Sequence, residues 1–300
     1  MKRIVSALLA IASIVSLTSC STAITKNASH TDPVKKVDYL YEISYDQYDW
    51  NVSKESLIKL PEGNLDGFGC SSVRNGNYYG RNFDFTFNNM SEFVVRSTAG
   101  KYKNIGIAIA NVNSTPEEVE NGLSVDQYNV LPFSIVDGIN EKGVVCNANV
   151  VPVNDLVADG GSRTTGTNPG KEDYFYQFLC RYILDNAATA DEALDLIINS
   201  INVTNTIDGH NCDYYTLNHA DYELHYMVAD ANKTYVIEFV NNEVKYVEDN
   251  VMTNFYLTYG TAPDYTPHAC GVERYETFKE YYSEGTSVEG MASLMRRCQY

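Results

Sequence analysis

Gly67-Phe68-Gly69-Cys70, followed after a short polar gap by Tyr78-Tyr79-Gly80-Arg81-Asn82-Phe83-Asp84-Phe85, is the stretch around which this chain is organised. Gly67 and Gly69 carry no Cβ, so the backbone before Cys70 can take unusual dihedrals. A strained Gly–Cys bond is open to attack by the cysteine's own thiol, giving an ester-like intermediate that water opens. The cut leaves Cys70 with an α-amine of intrinsic pKa about 7.7–8.0, able to take the thiol proton. A histidine base is then unnecessary, and no histidine occurs between His30 and His210. Asn75-Gly76 reads as a hairpin turn that returns Arg81 and Asp84 to the start of the first strand. There a carboxylate would hold the ammonium, and a guanidinium beside sulfur would favour thiolate. On spacing alone, Cys70 as a buried cysteine and Arg81–Asp84 as a surface ion pair of little worth remain open.

The chain has 300 residues and a formal net charge of −17. That length holds one large core or two domains. The charge repels nucleic acid and anionic membrane, which excludes a phosphate-backbone binder, but it says little about a small substrate. Residues 1–20 read as a signal: Lys2 and Arg3, an apolar run from Ile4 to Leu17, then Leu17-Thr18-Ser19-Cys20. The run is too short for a spanning helix. Its last four residues resemble a bacterial lipoprotein cleavage site, in which Cys20 is lipidated; an ordinary secretory signal is the alternative. Residues 21–33 read as a flexible tether.

Seven cysteines are few for an exported chain. Setting aside Cys20 and Cys70 leaves Cys146, Cys180, Cys212, Cys270 and Cys298, an odd number that implies no full disulfide framework. Cys146 and Cys180 lie in apolar periodic stretches and read as buried small hydrophobes; Cys212 and Cys270 are free to pair. No ligand spacing suggests a metal, and His210 with Cys212 lacks a second pair.

Extended segments are expected at 71–73, 78–79, 93–95 and 105–110, then at 131–136 before a polar turn over 137–143, and again at 144–150. Residues 154–170 read as a mobile loop, a lid over a pocket. Helices are expected at 173–183 and at 189–198, the second opened by Thr189 and Glu192 in capping-box spacing. Strands return at 224–229, 234–239 and 243–247. Strands, two helices and strands again indicate sheets layered against helices, an α+β class rather than repeated βαβ units.

Acyl transfer needs donors for an oxyanion. Asn254, inside the apolar Val251-Met252-Thr253-Asn254-Phe255, must find a hydrogen-bond partner, and Asn147 and Asn149 share one face of a strand. For all three, ordinary backbone capping is the competing reading. Arg274, in Val272-Glu273-Arg274-Tyr275-Glu276, reads equally as the polar face of a helix.

Cys70…Gly80-Arg81-Asn82-Phe83-Asp84 resembles the start of the mature chain in the choloylglycine hydrolase family, N-terminal-nucleophile hydrolases of linear amides. Asp137-Gly138-Ile139-Asn140-Glu141-Lys142-Gly143, Tyr182-Ile183-Leu184-Asp185-Asn186 with Asp191-Glu192-Ala193, Thr253-Asn254 and Glu273-Arg274-Tyr275 resemble further family elements, in the family's order. The resemblance covers residues 67–280. It implies a four-layer αββα sandwich with Cys70 as nucleophile and, once freed, its own base. Arg81 and Asp84 would organise amine and thiol, Asn254 would hold the oxyanion, and Arg274 would position the nucleophile. Asn149, ahead of Asn147, would face substrate. No cofactor or metal is implied.

The simplest family members have only an initiator methionine before the cysteine. Here residues 21–69 intervene as tether and pro-segment, so release of Cys70 requires cleavage after Gly69, as in the acid ceramidase-like branch. Residues 70–300 would form the hydrolase domain, ending without the closing strands the family usually has, and so truncated. The expected protein is a membrane-anchored bacterial lipoprotein acting on a small-molecule N-acyl amide, with homo-oligomerisation left open. Candidate substrates are a conjugated bile salt, an N-acyl amino acid or amine, an acyl-homoserine lactone and penicillin V. Two other classes compete: a non-catalytic ligand-binding lipoprotein with an uncut Gly69–Cys70 bond, and a papain-like peptidase, for which His210, His219, His225 and His268 offer no helpful context.

Overall fold

In Leu40-Tyr41-Glu42-Ile43-Ser44-Tyr45 every second residue is large and apolar, so an extended backbone turns Tyr41, Ile43 and Tyr45 to one face. The segment forms a strand, Leu40–Gln47, with those three side chains buried. The computed structural model describes residues 28–52, 69–84, 91–109, 116–152, 164–207, 210–211, 222–258 and 271–298. The signal at 1–20, Cys20, Cys212, Cys270 and most of the lid at 154–170 lie outside the described residues.

The strands in chain order are β1 (Ser29–His30), β2 (Val34–Val37), β3 (Leu40–Gln47), β4 (Ser71–Asn75), β5 (Tyr78–Asn82), β6 (Glu92–Ser97), β7 (Asn104–Ile109), β8 (Ile135–Asn140) and β9 (Val145–Pro152). They continue as β10 (Glu172–Phe175), β11 (Ile201–Thr204), β12 (Thr206–Ile207), β13 (His210–Asn211), β14 (Tyr222–Ala229), β15 (Thr234–Val240), β16 (Glu243–Glu248) and β17 (Val251–Met252). The helices are α1 (Pro116–Asn121), α2 (Val125–Val130), α3 (Leu179–Asn186), α4 (Ala190–Asp195), α5 (Val272–Glu280) and α6 (Val288–Arg297).

A ten-stranded sheet runs β1-β3-β6-β7-β8-β9-β14-β15-β16, with β2 also paired to β3. Only the β3–β6 pair within it is parallel. A second sheet of three strands runs β17-β4-β5. Cys146, Ala148, Tyr226, Val228, Ile237 and Phe239 face α3 and α4 on one side of the large sheet. Met227 and Val236 on its other side meet Met252 of the small sheet. On the outside of that sheet Phe278, Met291, Leu294 and Met295 of α5 and α6 cover Val73 and Val251. Helix, sheet, sheet and helix make the expected four-layer α+β sandwich. Each large apolar side chain fully buried between layers contributes about 1.5–3 kcal/mol.

The elements differ from the sequence reading where tertiary packing overrides local pattern. Leu131–Phe133 is a 3₁₀ turn with proline in its first positions, and the strand begins only at Ile135. Asp137 to Asn140, expected as a turn, belong to β8 because β7 pairs with them. Residues 172–175 extend to pair in parallel with β11, so the helix expected from 173 begins at Leu179. The hairpin turns on Gly76-Asn77, closed by the Asn75–Tyr78 pair. Gly76 sits there at φ +59°, a conformation glycine takes at no steric cost. Thr189 does cap α4, accepting from Glu192 N at 3.1 Å, while the Glu192 carboxylate accepts from Ala188 N.

Residues 28–52 are part of this core. The Tyr48 hydroxyl donates to Asp185, the wholly buried Arg181 lies 5.5 Å from the Tyr48 ring, and Trp50 packs against Phe133, Tyr174 and Tyr182.

Candidate active site

Cys70 immediately precedes β4, and the antiparallel pairing of Ser71 with Asn82 sets residues 69 and 70 against Asp84. The Asp84 carbonyl accepts from Gly69 N at 3.4 Å and from Cys70 Sγ at 3.7 Å. Asp84 therefore meets the thiol through its backbone. Ser71 Oγ lies 3.4 Å from the Gly69 carbonyl oxygen and donates to it. Cys70 is only 1% exposed, so the Gly69–Cys70 bond lies between the layers.

Arg274 comes to the Cys70–Ser71 backbone from α5. Its Nη1 donates to Cys70 O at 2.5 Å and to Ser71 Oγ at 2.7 Å, and its Nη2 donates to Asn254 Oδ1 at 2.7 Å. The helix's polar face points inward here, and Arg274 is buried, because the guanidinium has three acceptors waiting. Asn254 in turn donates through Nδ2 to Val150 O at 2.5 Å, which ties it to the large sheet. An Asn amide carries two hydrogens, so one is left after that bond.

Arg81 crosses from the small sheet to the large one. Its Nη1 pairs with Asp137 Oδ2 at 2.8 Å and donates to Val136 O, and Nη2 donates to Ala148 O at 2.5 Å. Burial works against this cation, but the charges of Asp137 and Cys70 outweigh it and hold its pKa above the ordinary value.

Asn147 donates to Ser72 Oγ at 2.8 Å and to Asn149 Oδ1 at 3.1 Å. Asn149 reaches Thr253 O at 3.3 Å. Arg81 Nε, Asn147 Oδ1 and the Tyr79 hydroxyl are buried with no hydrogen-bond partner among the described residues. Burial, then the Asp137 charge, pushes the Tyr79 phenol well above its usual pKa, so it stays a neutral donor. Buried polar atoms without protein partners mark places where water or a ligand atom completes the pairing. A cavity of about 700 Å³ under the hairpin is lined by Tyr78, Tyr79, Ile105, Ile107 and Asp137 but not by Cys70.

Burial raises the pKa of two other thiols, Cys146 and Cys298. Burial, with Cys180 as neighbour, raises Cys146 well above the thiol range, and the two sulfurs lie 3.5 Å apart, buried and unbonded. Burial pushes Cys298 up to about 11. Among the described residues, no group of three or more His, Cys, Asp or Glu could hold a metal.

The structure thus gathers Cys70, Arg81, Arg274 and Asn254 with the Asp84 backbone, and places Asn147 and Asn149 on the facing strand. Sequence reading did not reach Ser71 and Ser72, nor the buried His225 and Glu238, which contact Thr253 and residues 257–258. Glu238 has a sequence signal as the one charge in the largely apolar β15, whereas Ser71 and Ser72 lie in a mostly polar strand and carry none.

Four αββα layers with a cysteine just before a strand of an inner sheet are the architecture of the N-terminal nucleophile hydrolase fold. The profile of the linear amide C–N hydrolases, choloylglycine hydrolase family, matches residues 70–294, and the chain belongs to that family. Two variants of the conjugated bile acid hydrolase from Clostridium perfringens are similar at 14% identity, with TM-scores of 0.37 and 0.36. Each similarity covers 70% of this chain and 54% of the other, so the match spans about half the length of those hydrolases. Penicillin V acylase from Agrobacterium tumefaciens is similar at 14% identity and TM-score 0.40, over 81% of this chain and 71% of that one. No curated protein matches the chain.

Proposed function

We propose that this chain hydrolyses a linear, non-peptide amide through a thioester on Cys70, after cleaving its own Gly69–Cys70 bond. The observation that carries this is the convergence on Cys70 and its neighbours: Ser71 donates to the Gly69 carbonyl oxygen, Arg274 holds Ser71 Oγ and Cys70 O, and the Asp84 carbonyl accepts from the thiol and from Gly69 N. In self-cleavage, Cys70 Sγ bonds to the Gly69 carbonyl carbon. The C–N bond then breaks as the amide nitrogen takes the thiol proton. Ser71 donates to the oxygen that becomes negative, and Arg274 polarises Ser71. Water opens the thioester, releasing the Gly69 carboxylate and leaving Cys70 with a free thiol and α-amine.

The freed amine, with intrinsic pKa of about 7.7–8.0, takes the thiol proton. Asp84 holds the resulting ammonium. The thiolate adds to the substrate carbonyl, and the second Asn254 hydrogen stabilises the oxyanion. The ammonium protonates the leaving nitrogen, and water then cleaves the acyl thioester. The substrate is a small N-acyl amide, such as a conjugated bile salt, an N-acyl amino acid or amine, or penicillin V, with Asn149 and Asn147 facing it. The leader through Cys20 supports an exported, lipid-anchored form.

Intact-mass analysis of the native chain beside Cys70→Ser tests this, followed by turnover of those amides. Splitting after Gly69 in the native chain alone, with amide turnover, is the expected result. A native chain that stays whole and turns over no amide overturns the proposal and leaves a ligand-binding lipoprotein.

A further inference from the structure

The inner face of the large sheet carries a row of polar side chains where a sandwich core is ordinarily apolar. Strand register pairs Asn149 with His225, and the Tyr226–Ile237 pair sets His225 opposite Glu238. All three are wholly buried. Burying such groups costs free energy unless each is hydrogen-bonded. Among the described residues, every partner beyond the row itself, Asn147 and Ser72 belongs to one segment, residues 252–258.

That segment leaves regular structure after Met252, so its backbone groups have no ladder to join. The polar row supplies the partners. His225 Nε2 lies 2.8 Å from Thr253 O, and because a carbonyl only accepts, Nε2 carries the hydrogen. Asn149 donates to the same carbonyl at 3.3 Å. Glu238 holds the other end, accepting from Leu257 N at 2.7 Å and from Thr258 N at 3.0 Å. The Thr258 hydroxyl donates to Glu238 as well, and His225 Nδ1 sits 3.3 Å from Glu238 Oε1. Asn254 lies inside the arc fixed at these two ends.

We propose that His225 and Glu238 are positioning residues for Asn254, clamping the 253–258 arc from both ends so that the amide meets the oxyanion. The inference rests on the oxyanion role given to Asn254 above. Neither residue touches the thiol; they act through backbone placement, and misplacement of about 1 Å can cost two orders of magnitude in rate. Imidazole and glutamine present a donor at similar reach, whereas leucine fills the space without one.

The test compares the full-length wild-type protein with His225→Leu, His225→Gln and Glu238→Gln. Amide hydrogen exchange is followed in residues 251–258, together with thermal melts and steady-state hydrolysis of the best amide in the panel. Expected for His225→Leu is exchange at least about tenfold faster in this segment, with kcat down about 10–100-fold and KM within about threefold. His225→Gln should recover most of both. The inference is overturned if His225→Leu leaves exchange and kcat unchanged, or if glutamine is as damaging as leucine. Should the leucine variant not fold, Glu238→Gln decides: faster exchange at Leu257 and Thr258 supports the clamp, and wild-type exchange there overturns it. An uncut, inactive wild type defeats the hydrolase reading instead, and the exchange arms still report whether the clamp exists.

Discussion

Arg274 and Cys70 stand 204 residues apart in sequence and are joined by a 2.5 Å hydrogen bond from the guanidinium to the Cys70 carbonyl oxygen. The same guanidinium holds Ser71 and Asn254, so one planar group sets the distance between Cys70, the proposed nucleophile, and Asn254, the proposed oxyanion donor. A lysine can reach one of these acceptors but not all three in fixed geometry. Arg274→Lys should lower kcat about 100-fold with KM little changed, since the lost interactions orient the reacting groups rather than bind substrate. Arg274→Ala should also lose about 1.5–3 kcal/mol of stability, read by urea unfolding. Wild-type kcat in the lysine variant would refute the orienting role.

Ser71 carries a separate prediction, because the proposed mechanism gives it a part in self-cleavage alone. Its hydroxyl is 3.4 Å from the Gly69 oxygen, longer than an ideal bond, so the contact tightens only as charge develops there. Ser71→Ala should slow splitting after Gly69 about tenfold, and Ser71→Thr should retain it. Time-resolved intact mass is the measurement. Equal rates in all three proteins would remove Ser71 from the mechanism.

Cutting after Gly69 should not release residues 28–52. β3 pairs with β6 across six registered residues, Tyr41, Ile43 and Tyr45 are buried, and Tyr48 and Trp50 reach into the helical layer. Burial of three such side chains alone is worth about 5–9 kcal/mol as an upper figure. The two pieces should co-elute in native size exclusion and separate only in denaturant. Dissociation under native conditions would show that the edge strands add little to the core.

The strand carrying Tyr41, Ile43 and Tyr45 reads in sequence only as part of a pro-segment, whereas the sheet layer was legible where one face repeats, as in the strands flanking Asn241-Asn242. That turn places both asparagines at positive φ, as a tight hairpin requires. The sequence reading failed where a partner strand decides. Asp137 to Asn140 look like a turn by composition, yet β7 pairs with them. Residues 173–175 have helical periodicity but are captured by β11. The site followed the same division. Cys70, Arg81, Asn254 and Arg274 stand out as chemistry in an apolar or glycine-rich setting. The link from Arg81 to Asp137, and the row Asn149–His225–Glu238, arise from strand register that a single sequence does not display.

Close packing of α5 on the oxyanion segment gives a steric test. A Cβ built on Gly271 would stand 2.8 Å from Asn254 N and 2.9 Å from Thr253 Oγ1, and Thr253 Oγ1 already donates to Gly271 O. The segment cannot yield without moving Asn254. Gly271→Ala should therefore cut kcat about 100-fold while the melting temperature falls by only a few degrees. A variant with unchanged kcat would show that the Asn254 position has more slack than this contact allows.

Thiol reactivity separates Cys70 from its neighbours by pH. Burial raises Cys298 to about 11 despite the nearby Arg274 and Arg297, and raises Cys146 well above the usual range. A raised thiol pKa means that thiolate appears only as pH climbs toward it. At pH 8 a thiol of pKa 11 is roughly one part in a thousand ionised, rising to about a tenth at pH 10. Under the proposed mechanism Cys70 gains its own α-amine once cut, and that amine takes the thiol proton. Iodoacetamide at pH 8 should modify Cys70 of the processed chain first and abolish turnover, with Cys298 following only toward pH 10–11. Peptide mass mapping over a pH series reads this directly. Labelling of Cys298 as fast as Cys70 at pH 8 would refute activation of Cys70 by the freed amine.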